Sequence, residues 1–153
     1  MIGSVGRILL LVWALPFLAA ACERTDPQLR PDALLRDSLG LGDGERVHRI
    51  QLGSVDNRAR IEPVRVTVRP GDWVEFVTQN RRVHAVTFLL DDAPPAGAEL
   101  LRRSGQDRSP PLVELEARFI VSFADAPEGS YPFVVIGNGQ DGRGTIVVAD
   151  GGG

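Results

Sequence analysis

The stretch Val64-Arg65-Val66-Thr67-Val68-Arg69-Pro70-Gly71-Asp72-Trp73-Val74-Glu75-Phe76 carries the clearest structural signal in this chain of 153 residues. Val64, Val66 and Val68 alternate with Arg65, Thr67 and Arg69, the period of a strand with one face buried. Pro70-Gly71-Asp72 reads as a turn, and the apolar run resumes from Trp73 to Thr78. Working outward, Val47, Arg49 and Gln51 alternate with His48, Ile50 and Leu52. His84 to Leu90 is another β-prone run, and Phe119, Val121 and Phe123 alternate with Arg118, Ile120 and Ser122. Ser130 to Ile136 and Thr145 to Val148 complete seven or eight short strands, parted by some of the 17 glycines and 11 prolines. This pattern predicts an all-β sandwich. The stretch from Asp91 to Pro111 turns to Pro, Gly, Arg and Ser and reads as one long connection, with a short helix over Ala98–Arg102.

The first 21 residues read as a signal peptide. Arg7 precedes the apolar run Ile8–Leu18, which is too short to span a bilayer, and Ala19-Ala20-Ala21 leads to Cys22. Cleavage before Cys22 and acylation of its sulfur make the segment resemble a bacterial lipoprotein signal, although Ala19 stands where Leu is usual. Ordinary signal-peptidase cleavage, giving a soluble secreted protein, is the alternative. Residues 22–45 form a polar tether, with two helical turns predicted over Asp32–Leu39; residues 46–150 form the domain and 151–153 a glycine tail. The expected location is the cell envelope or periplasm, held to a membrane by lipid on Cys22. All 17 basic side chains are Arg, yet the net charge is −3, which disfavours a nucleic-acid binder. The single Cys excludes an internal disulfide and any multi-cysteine metal centre.

The order Val64–Phe76, then Val83-His84-Ala85-Val86-Thr87-Phe88, resembles the first half of a cupredoxin, the plastocyanin and azurin fold. Ser109-Pro110-Pro111-Leu112, Phe119–Phe123 and Gly129-Ser130-Tyr131-Pro132-Phe133 resemble the second half, with Gly144–Val148 as the last strand. The resemblance covers Val47 to Ala149 and implies a Greek-key sandwich with a copper site at one end. It also implies the ligand positions. His84 stands where the first copper ligand falls. Counting from Tyr131 and Phe133, the cysteine falls at Val135, the second histidine at Asn138 and the axial methionine at Arg143. A blue-copper centre needs two imidazoles and a thiolate, and the one Met of the chain is Met1. The expectation is therefore a degenerate site that binds no cofactor.

Two readings of His84 stay open at this point. It is either a core or rim histidine, hydrogen-bonded to Asn138, or part of a weaker N/O metal site with His48 and a carboxylate such as Asp91 or Asp141. Arg81, Arg82, Arg102, Arg103, Arg108 and Arg143 fall in loops that border the copper end of cupredoxins. Arg81, Arg82, Arg102 and Arg103 are candidates for docking an acidic protein or a small anionic ligand; the plainer reading is solvated surface charge. No nucleophile elbow, zinc-protease motif or phosphate loop supports an enzyme. The sequence thus points to an envelope-anchored, cupredoxin-like binding module without type 1 copper. The alternatives are a copper electron carrier of the plastocyanin and azurin family and a non-blue copper storage or delivery protein.

Overall fold

The structure, a computed structural model, describes residues 33–41, 46–137 and 139–150. The signal segment 1–21, Cys22, most of the tether, Asn138 and the glycine tail lie outside the described residues. Within the tether, α1 spans Ala33–Leu39, close to the predicted helix. The eight strands are β1 (Val47–Val55), β2 (Arg58–Glu62), β3 (Arg65–Val68), β4 (Trp73–Thr78), β5 (His84–Phe88), β6 (Arg118–Ser122), β7 (Gly129–Gly137) and β8 (Gly142–Val148). They form two four-stranded sheets, ordered β2-β1-β4-β6 and β3-β8-β7-β5. β1 runs parallel to β4 and β3 parallel to β8, while the other pairs are antiparallel.

The predicted alternation sets the inner faces. Ile50, Leu52, Val74, Phe76, Val121 and Phe123 from one sheet meet Val86, Phe88, Tyr131, Phe133, Val135 and Ile146 from the other, all buried. Phe76 and Phe133 pack edge to face at 5.1 Å, and Phe123 and Tyr131 at 5.4 Å. Burying each such side chain contributes roughly 1.5–3 kcal/mol. The Tyr131 hydroxyl donates to the Pro127 carbonyl at 2.7 Å, so its burial strands no polar group.

The pairing register defines two ends. β4 begins and β5 finishes at one, beside the Pro70-Gly71-Asp72 turn; β4 finishes and β5 begins at the other, beside His84. The connection after β5 is more ordered than predicted. One 3-10 turn spans Leu90–Asp92, and α2 runs over Pro95–Ser104 rather than Ala98–Arg102. Pro95 opens α2 and Gly105, at φ 68°, closes it. The chain then returns beside β5. Phe88 N–H donates to Asp107 O, Ser109 N–H to Val86 O, and His84 N–H to Leu112 O.

Candidate functional site: the His84 end of the sandwich

His84 opens β5 with its side chain turned inward and 1% exposed. Its Nε2 lies 2.9 Å from Asn80 Oδ1, which also accepts the Arg82 backbone N–H at 3.0 Å. That second bond identifies the Asn80 atom as oxygen, so Nε2 carries the proton. Nδ1 then holds a lone pair, buried and without a hydrogen-bond partner among the described residues. Burial, together with the Arg82 charge, lowers the His84 pKa from its ordinary 6.5 and keeps the ring neutral.

Across the sheet His84 pairs with Gly137 and Val86 with Val135. Val135, fully buried, therefore faces the core on the same side as His84. Gly137 is required there by close approach, since a Cβ would lie 2.7 Å from the Val83 carbonyl oxygen. Among the described residues no group of three or more His, Cys, Asp or Glu side chains is placed to hold a metal ion. The side chains inside this end supply one imidazole nitrogen and no sulfur. That donor set does not fit the trigonal N₂S centre of a blue-copper protein.

The other candidates separate. His48 lies at the opposite end, where its Nε2 is 2.8 Å from Asp72 Oδ2. Asp91 lies in the 3-10 turn just beyond the finish of β5, away from His84. With His48 held at the other end, the N/O site expected from His84, His48 and a carboxylate such as Asp91 or Asp141 is not assembled among the described residues. The hydrogen-bond partner of His84 is Asn80, four residues before it. Arg81 and Arg82 stand exposed at the His84 end, and Arg143 is paired beside Val134 on β8. Arg102 and Arg103, by contrast, close α2, whose exit is tied to the Asp72 end: Gln106 Oε1 accepts the Ser122 N–H, and Ser122 pairs with Trp73. Arg108 lies opposite Thr87 and pairs with Asp107 at 3.1 Å. The expected ring of six guanidiniums at one end does not form.

What the sequence left unread is the apolar character of this end. Among the described residues the large exposed hydrophobic side chains are Val55, Val64, Val83, Val113, Leu115 and Ile136. Val83, Val113 and Ile136 lie at the His84 end. The bridge between His84 and Leu112 sets Val83 beside Val113, and Ile136 is paired with Ala85 on the same outer face.

No protein-family profile matches the chain. A curated plastocyanin from Nostoc punctiforme is 29% identical over 87 residues, covering 56% of this chain. The chain spans 61% of that relative's length. The oxidized plastocyanin of Dryopteris crassirhizoma superposes with a TM-score of 0.51 at 22% identity, over 66% of this chain and 99% of that one. The chain has the cupredoxin fold. A mutant fern plastocyanin agrees, with a TM-score of 0.50 at 21% identity and the same coverage. The cupredoxin resemblance read at Val64–Phe76 and Val83–Phe88 is thus matched at the level of the fold. No helix among the described residues is long and apolar enough to cross a membrane.

Proposed function

We propose that this cupredoxin works as a copper-free binding module, exported and lipid-anchored through Cys22, which meets a protein partner with its His84 end. The observation that carries the reading is the surface formed there by Val83, Val113 and Ile136, which are 37%, 46% and 46% exposed. Soluble domains scatter exposed aliphatic side chains singly; neighbours on one sheet corner favour a docking role. Arg81 and Arg82 border this corner and make no ion pair among the described residues, so they add an anion-attracting rim. Copper electron transfer, the role the family suggests, lacks its thiolate: Val135 occupies that strand position as a fully buried core residue. Among the described residues no paired acid and base at this end favours an enzyme.

The test is association with the envelope fraction. Cys22→Ser should move the protein to the soluble fraction. In that soluble form, Ile136→Glu with Val113→Glu should abolish crosslinking to the partner while leaving the unfolding midpoint unchanged. Crosslinking that survives both substitutions overturns the docking assignment. Membrane retention that survives Cys22→Ser overturns the anchor.

A further inference from the structure

β3 begins only opposite Thr145, so Gly142–Gly144 at the start of β8 have no β3 partner and face β2 instead. The two strands come close because position 142 has no side chain. A Cβ there would lie 2.9 Å from Ile61 Cδ1 and 3.1 Å from the Ala59 carbonyl oxygen. The β1–β2 hairpin is fastened to the turn before β8. Ala59 N–H donates to the Gln140 carbonyl at 2.9 Å, and Gln140 N–H to the Asn57 carbonyl at 2.8 Å. Between β2 and β8 lies a cleft of about 320 Å³, lined by Arg58, Ala59, Ile61, Val64, Arg143 and Asp141. Its walls are held by backbone hydrogen bonds, so its shape is set before anything enters.

The charge in the cleft is unbalanced. Arg58 spends Nε and Nη2 on one neutral acceptor, Gln140 Oε1, at 3.0 and 2.7 Å. Neither Arg58 nor Arg143 has a carboxylate partner among the described residues. Asp141 offsets one of the two charges and leaves one positive. The opposite wall is hydrocarbon: Ala59, Ile61 and Val64, the last 58% exposed.

We propose that this cleft binds a small aliphatic carboxylate. Its anionic head sits between Arg143 and the free edge of the Arg58 guanidinium, and its short hydrocarbon body lies on Ile61 and Val64. Guanidinium groups recognise carboxylates through paired, charge-assisted hydrogen bonds, and the size of the cleft suits a molecule of a few carbons. The site is separate from the docking corner, so it stands or falls independently of the partner reading.

The experiment is an NMR titration of the isotope-labelled protein with butyrate, with n-butanol and inorganic phosphate as comparison probes. Butyrate should give saturable shifts centred on the Ala59 and Gly142 amides; butanol should give none, and phosphate should bind more weakly. Arg143→Gln should weaken butyrate at least tenfold, and Val64→Asp, which keeps both arginines, should do likewise. Arg103→Gln and Ile136→Glu should leave it unchanged. Shifts that never saturate, equal shifts with butanol, tighter binding of phosphate, or full binding by folded Arg143→Gln would each overturn the proposal.

Discussion

At one end of the sandwich Asp72 takes hydrogen bonds from His48 and from the Arg69 backbone N–H, at 2.8 and 2.9 Å. At the other, His84 is buried as deeply but keeps an Nδ1 with no partner among the described residues. Burial pushes the Asp72 carboxyl up, yet the hydrogen bonds from His48 and Arg69 and the His48 charge outweigh it and hold its pKa below 3.8. The Asp72 end is therefore a polar staple that locks the Pro70-Gly71-Asp72 turn onto β1. The His84 end carries the exposed Val83, Val113 and Ile136 and a buried imidazole nitrogen with no partner among the described residues. One end of the fold is thus closed by paired polar groups, and the other is where the proposed docking corner lies.

The largest effect should come from breaking the staple. Asp72→Ala leaves His48 buried without its partner and should lower unfolding free energy by about 3 kcal/mol, measured by urea denaturation. His84→Leu gives up one hydrogen bond but also removes an unsatisfied buried nitrogen. Its cost should be about 1 kcal/mol or less. Equal losses for the two substitutions would erase the contrast between the ends.

The pH dependence of stability sharpens the same contrast. His84 titrates below 6.5 in the fold, so the unfolded chain takes up that proton first as pH falls. Its contribution is complete above 6.5 and declines from there downward until folded His84 itself is protonated. Asp72 contributes above 3.8 and is lost only below it, as pH falls through its lowered folded value. Stability measured from pH 7 to pH 3 should therefore fall in two windows. His84→Leu should remove the upper one and leave the lower.

A smaller effect separates the arginines. Reversing Arg81 and Arg82 to Glu should weaken partner association in a salt-sensitive way, whereas reversing Arg102 and Arg103, at the other end, should change it little. All four are exposed, so stability should move by no more than about 0.5 kcal/mol in either pair.

Much of this architecture was legible in the chain, because alternation of apolar residues is the direct imprint of a two-sided strand. Trp73–Thr78 was read with its observed bounds. β2 escaped because Ile61 is its one buried side chain in Arg-Ala-Arg-Ile-Glu. Its hairpin signal lay instead in Asp56 and Asn57, which adopt φ of 49° and 58°. The full length of α2 was likewise marked by Pro95 and Gly105. The site was less legible. Local sequence shows that Arg102 and Arg103 are charged but not which end of the sandwich a returning helix brings them to. Nor does it show that Val83 and Val113, 30 positions apart, become neighbours on one sheet corner. The bond from His84 to Asn80 runs within a loop that carries no periodic signal.

Absorption spectroscopy tests most directly whether the His84 end builds a type 1 copper centre. The purified protein titrated with Cu(II) should stay colourless or take on only the pale tint of copper held by nitrogen and oxygen. Val135→Cys with Asn138→His, beside the native His84, should introduce an intense thiolate-to-copper band. A blue wild-type protein would contradict the account outright.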